Sequence, residues 1–173
     1  MAHNHKHHAH QHTHNIESIN SALVIGIILN TLFVVIEAIA GFYYDSLALL
    51  SDAGHNLSDV ISLILALLAF RLVQMKPTSE YTYGYKKSSI LVSLLNAVIL
   101  LVAVGMILSE SIVKIRHPEP IAGNAIAWVA GAGIIINAFT AFLLFRQKGS
   151  DLNIKGAYLH MAADALVSVG VVI

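Results

Sequence analysis

The sequence predicts an all-α protein, a polytopic bundle of transmembrane helices, and three observations carry that prediction. The first is composition. Of the 173 residues, 57% are hydrophobic and 12% charged, with a mean hydropathy of +0.73, whereas soluble domains carry about 25% charged residues. The second is segmentation: apolar stretches recur near 20–43, 47–73, 88–113, 121–145 and 152–173. About 20 such residues cross a hydrocarbon core of about 30 Å. The third is that two of these stretches carry a histidine and an aspartate well inside them. That arrangement suits helices packed around a shared polar interior better than rods facing lipid.

In chain order, residues 1–17 read as a polar tail on the cytoplasmic side. It contains His3, His5, His7, His8, His10, His12 and His14. Spaced imidazoles on a flexible chain chelate borderline divalent metals weakly, so the tail reads as a delivery or buffering segment, with a dispensable tail as the alternative. It lacks the apolar core of a cleavable signal, and the first span serves as its own insertion signal. Residues 18–173 form the transmembrane domain.

Each span then brings its own polar groups. The first contains Asn30 and Glu37 on nearly the same face, lining a polar cavity or bonding within the bundle. The second contains His55 and Asp59, preceded by Asp52. The third and fourth each hold one amide, Asn96 and Asn137, read chiefly as helix packing. The fifth contains His160 and Asp164 and is still apolar at Ile173. Five spans, the last without polar flanking residues, lead to the expectation of a partial product whose sixth span is missing. Gly26, Gly41, Gly105, Gly131 and Gly133 read as points of close helix approach.

Loop charges set the topology. Arg71, Lys76, Lys86 and Lys87 flank the second loop, and Arg146, Lys148 and Lys155 stand against Asp151 at the fourth. The first loop has no positive charge, and at the third Lys114 and Arg116 stand against Glu119. The positive-inside rule puts the second and fourth loops, and the N-terminus, in the cytoplasm. The charge bias fits an inner, plasma membrane. Tyr43, Tyr44, Tyr81, Tyr83 and Tyr85 sit near span ends as interfacial aromatics do, and His117 reads as surface. A net charge of zero gives no field for nucleic acid, and the absence of cysteine excludes disulfides and thiolate ligands.

The chemistry lies in the two His-x-x-x-Asp pairs, His55/Asp59 and His160/Asp164. A four-residue step along a helix returns to within about 40° of the same face, so each pair points one way. Two such helices facing one another supply two imidazoles and two carboxylates, the count and type of a tetrahedral zinc site. The competing reading is structural, each histidine bonding its aspartate. Interhelical polar contacts in membranes give about 0.6 kcal/mol, against an insertion cost of about 2.5–3.5 kcal/mol for one ionisable group. Metal binding is therefore favoured. Asp52 lies on the same face two turns earlier. It orients His55, carries protons or charges the pore mouth; direct ligation is its least favoured role. Ser51, Ser58 and Ser62 read as helix contacts.

These residues resemble the cation diffusion facilitators, a family of zinc and related divalent-cation exporters. The resemblance rests on Ser46-Leu-Ala-Leu-Leu-Ser-Asp52-Ala-Gly-His55-Asn-Leu-Ser-Asp59 in the second span. It continues in Tyr83-Gly84-Tyr85-Lys86-Lys87 with Asn96, and in Ala157-Tyr-Leu-His160-Met-Ala-Ala-Asp164-Ala-Leu-Val-Ser168. It implies a homodimer that exchanges a dication for protons, with His55, Asp59, His160 and Asp164 as metal ligands. Histidine at the first of these positions resembles the zinc-preferring branch. A further span and a cytoplasmic metal-binding domain complete the family's usual chain.

The expected function is export of Zn²⁺, or of Cd²⁺ or Co²⁺, as transported substrate rather than cofactor, with H⁺ as counter-ion. No nucleotide-binding motif is present to drive it otherwise. An intramembrane metalloenzyme is disfavoured because four protein ligands close the zinc sphere and His-Glu-x-x-His is absent. A non-transporting membrane metal-binding subunit is the remaining alternative.

Overall fold

The computed structural model describes residues 9–75, 86–116, 123–147 and 152–172. They form five helices: α1 (Ala9–Tyr43), α2 (Leu47–Gln74), α3 (Lys86–Arg116), α4 (Gly123–Phe145) and α5 (Leu152–Val172). His3, His5, His7, His8, Lys76, Tyr81, Tyr83, Tyr85, His117, Glu119, Lys148 and Asp151 lie outside the described residues. Stretches Glu17–Tyr43, Leu47–Gln74, Lys87–Met106 and Ala127–Phe145 are long and apolar enough to cross a membrane. Helix α5 has 21 residues, about 31 Å at 1.5 Å per residue, and contains Lys155, His160 and Asp164. The helix ends lie within a few residues of the ends of the sequence's apolar stretches. The exception is α1, which begins at Ala9 inside the histidine-rich segment.

A tight turn joins α1 to α2 and fixes their register. Ser46 N–H donates to Gly41 C=O (2.9 Å) and Asp45 N–H to Phe42 C=O (3.4 Å), the paired bonds of a Schellman motif. Asp45 takes the left-handed conformation that motif needs, with φ 49°; aspartate tolerates this better than most residues because its short side chain bonds locally. Ser46 then caps α2, its hydroxyl accepting from Leu49 N–H (3.4 Å). Leu50 packs where a Cβ on Gly41 would stand, 2.8 Å from its Cδ2, so a larger residue there would force the hairpin open.

Helix α2 buries Leu49, Ala53, Asn56, Val60, Leu63, Ala66 and Phe70, a stripe at steps of three and four that faces its neighbours. Helix α1 packs on α2 and α4, and α2 and α4 both pack on α5. Those contacts close a ring in the order α1, α2, α5, α4. Helix α3 sits outside it against α2. Its tie to α5 is polar: Ser93 Oγ donates to Asn153 Oδ1 (2.5 Å), and Asn153 Nδ2 donates to Ser89 Oγ (3.3 Å). Ile90, Leu94 and Leu101 on α3 are exposed, as lipid contact requires.

Inside the ring, Ile19 and Leu23 of α1 meet Leu63, Ala66 and Phe70 of α2, Ala141 and Leu144 of α4, and Ile154, Ala157 and Met161 of α5. This apolar plug fills the end of the ring where α1 and α5 begin and α2 and α4 finish. Polar ties lace the same end: Arg71 Nε donates to Asn20 Oδ1 (3.1 Å) and Gln147 Nε2 to Ser18 Oγ (3.0 Å).

Above the plug α1 and α4 approach closely. A Cβ on Gly26 would lie 2.9 Å from Thr140 Cγ2, and one on Gly133 3.0 Å from Phe33 Cζ. One turn after Gly26, Asn30 Nδ2 donates to Gly26 C=O (2.8 Å) and Thr140 Oγ1 (3.2 Å). Of the readings open for Asn30, the bundle hydrogen bond is therefore the one realised. Gly105 and Gly131 have open space around them. Replacing Gly26 by valine is expected to destabilise the bundle by about 1–3 kcal/mol through overpacking. A lower unfolding midpoint in detergent would register it; an unchanged midpoint would mean the two helices do not touch there.

Candidate metal centre

The plug ends where the polar groups begin, and the two change over on the same helices. In α2, Asp59 lies one turn before Leu63; in α5, His160 immediately precedes Met161. Asp59 is fully buried, and the side chains of His55, His160 and Asp164 are 20%, 14% and 15% exposed. Helical period puts each histidine over its own aspartate, and the α2–α5 contact turns the two pairs towards each other.

The donors converge. His160 Nε2 lies 2.7 Å from Asp59 Oδ1 and 3.3 Å from Asp164 Oδ2, and His55 Nε2 lies 3.8 Å from Asp164 Oδ1. One ligand atom from each of His55, Asp59 and Asp164 falls within 4.8 Å of the others. The imidazole rings stand nearly perpendicular with centroids 6.4 Å apart. Zinc bonds nitrogen and oxygen at about 2.0–2.2 Å, which sets adjacent ligands of a tetrahedron about 3.3–3.6 Å apart. The observed spacings bracket that edge.

Within the cluster, His55 Nδ1, Asp59 Oδ2 and Asp164 Oδ2 are buried without a hydrogen-bond partner. A neutral His160 has one proton at most for Nε2, and Asp59 is the nearer acceptor. Orphaned buried acceptors are costly, and a cation would satisfy the two carboxylate oxygens together, whereas His55 Nδ1 points away from the Nε2 that faces Asp164. Two nitrogen and two oxygen donors fit zinc and similar divalent ions in chemistry and number.

The other polar residues named from the sequence lie elsewhere. Asp52 shares the wheel position of Asp59, but two turns separate them by about 10 Å along the axis. It is exposed and adjoins Glu37, with His55 one turn further along the helix. Ser58 Oγ donates to His55 C=O (2.6 Å), a helix contact. Asn96 and Asn137 are buried, each with an Oδ1 lacking a partner. Sequence reasoning missed Asn56, which is buried beside His55 and donates from Nδ2 to Glu37 Oε2 (2.7 Å). An amide inside an apolar stretch, next to a candidate ligand, was the available signal.

A membrane-embedded helical ring around a buried cluster of imidazoles and carboxylates defines a class of integral membrane proteins that handle cations. The chain belongs to the cation efflux family: the cation efflux transmembrane domain matches residues 23–173. It is 40% identical to the cadmium, cobalt and zinc/H(+)-K(+) antiporter of Bacillus velezensis, over 95% of this chain and 53% of that protein. It is 36% identical to the zinc transporter ZitB of Escherichia coli, over 96% of this chain and 54% of that one. With the metal cation efflux system protein CzcD of Cupriavidus metallidurans it shares 35% identity, over 95% and 51%. The chain spans about half the length of the curated relatives it matches.

Proposed function

We propose that this chain is the membrane part of an exporter that moves Zn²⁺, or Cd²⁺ or Co²⁺, out of the cytoplasm in exchange for protons. His55, Asp59, His160 and Asp164 are the ligands, one pair from each of two helices. The full protein acts as a homodimer in the plasma membrane, with its N-terminus in the cytoplasm. The observation that carries the proposal is the meeting of α2 and α5 at four donor side chains, two of whose carboxylate oxygens are buried without partners. The relatives, named as transporters of zinc, cadmium and cobalt, agree with it.

The chemistry couples the two fluxes. Zinc takes deprotonated carboxylate and unprotonated imidazole nitrogen, so metal and protons compete for the same atoms. Protons arriving from outside release the cation outward, and losing them towards the cytoplasm restores the ligands. The apolar plug closes the bundle end assigned to the cytoplasm, which supports an outward-facing state, and alternating access requires that plug to part. Proteoliposomes of the protein should show zinc flux that follows an imposed pH difference. Flux indifferent to that difference would remove the antiport half of the proposal, and no flux at all would favour a metal-binding subunit.

A further inference from the structure

A second polar cluster lies between α1 and α2. Glu37 is completely buried. One of its oxygens, Oε2, accepts from Asn56, while Oε1 has no hydrogen-bond partner. Its ionisable neighbours are Asp52 and His55. Asp52 stands one turn before Asn56 and is exposed, so the pair leads from the surface near the α1–α2 turn to the level of His55. Two adjoining carboxylates are unfavourable alone, because the buried Glu37 loses water and the two charges repel each other. A cation between them reverses both effects.

We propose that Glu37 and Asp52 form a second, weaker site for a divalent cation, a way-station between the four-donor centre and the bundle end at the α1–α2 turn. The unpartnered Glu37 Oε1 is its inner ligand atom, and Asp52 at the surface is its outer one. The proposal rests on the transport reading above. Two carboxylates without imidazole make a harder donor set, which holds a partly hydrated dication loosely and discriminates little among metals. Loose binding suits passage, since a step on a conduction path must be favourable enough to enter and weak enough to leave. Asn56 is a positioning residue: its amide fixes one Glu37 oxygen and leaves the other for the cation.

The test is Cd²⁺ titration by calorimetry on the purified protein, with the seven tail histidines replaced by glutamine so that they do not mask weak sites. Asp59→Asn with Asp164→Asn should abolish tight binding and leave one weak site. Adding Glu37→Gln or Asp52→Asn should weaken that residual site by about tenfold or more. Glu37→Gln keeps an acceptor for Asn56 and Asp52 is exposed, so neither change should unfold the bundle. With the four donors intact, Glu37→Gln should leave tight Cd²⁺ affinity within about twofold and slow flux by about tenfold. No residual site, or a residual site indifferent to Glu37→Gln because the two acids only share a proton, overturns the inference. Tight binding that survives Asp59→Asn with Asp164→Asn overturns the four-donor reading instead.

Discussion

Replacing Asp59 by asparagine is expected to lower zinc affinity by more than about 100-fold while leaving the bundle folded. Removing groups that merely orient a ligand costs about 10–100-fold, and Asp59 is proposed as a ligand itself. Asparagine keeps the shape of the side chain, and its Oδ1 can still accept from His160 Nε2, now 2.7 Å from Asp59 Oδ1. What disappears is a charge in a fully buried position. Wild-type affinity should also rise from about pH 5.5 to about pH 8, because protons and metal compete for the same imidazole and carboxylate atoms. Calorimetry in buffers of different ionisation enthalpy would detect the released protons. An Asp59→Asn protein that binds zinc as wild type does would remove Asp59 from the ligand set.

The residues that made this site legible are those whose relation is local. His55 and Asp59, and likewise His160 and Asp164, share a face because helix period alone puts them there. The span limits are similarly local, since length and hydropathy decide them, and α2, α4 and α5 fall within a residue or two of their apolar stretches. What joins the two pairs is the order of helices around the ring. No spacing encodes that order, and Asp59 and His160 lie far apart in the chain. Asp52 illustrates the limit from the other side: the wheel gives its angle but not its partner, and height along the axis takes it to Glu37. The Glu37–Asn56 bond follows from the hairpin register. The turn at Tyr44–Ser46 sets residues roughly equidistant from it at one level, as it does Asn20 and Arg71. That consequence becomes visible only once α1 and α2 are known to join tightly. The start of α1 within the histidine-rich segment was not visible either, because polar composition argues against a span but not against a helix.

Truncating Leu63 to alanine is expected to produce the opposite signature from Asp59→Asn: binding retained, the seal lost. Leu63 is 0% exposed at the centre of the plug, and buried leucine-to-alanine changes cost about 2–5 kcal/mol through lost contacts and the cavity left behind. The unfolding midpoint should fall accordingly. Asp59 lies one turn away on the same helix, and its donor geometry depends on the α2–α5 contact rather than on the leucine side chain, so zinc affinity should stay near wild type. The functional consequence is leakage. The plug is apolar across all four helices of the ring, and a cavity there opens towards polar groups on one side and the laced bundle end on the other. Water entering it would connect the acids to the plugged end of the bundle out of turn. Proteoliposomes of Leu63→Ala should pass protons without zinc, and zinc flux should lose its dependence on the pH difference. A variant as stable and as proton-tight as wild type would mean that the bundle is sealed elsewhere. Ligands and seal would then not share α2 and α5, and a metal bound at Asp59 and His160 would have no direct means of moving Leu63 and Met161.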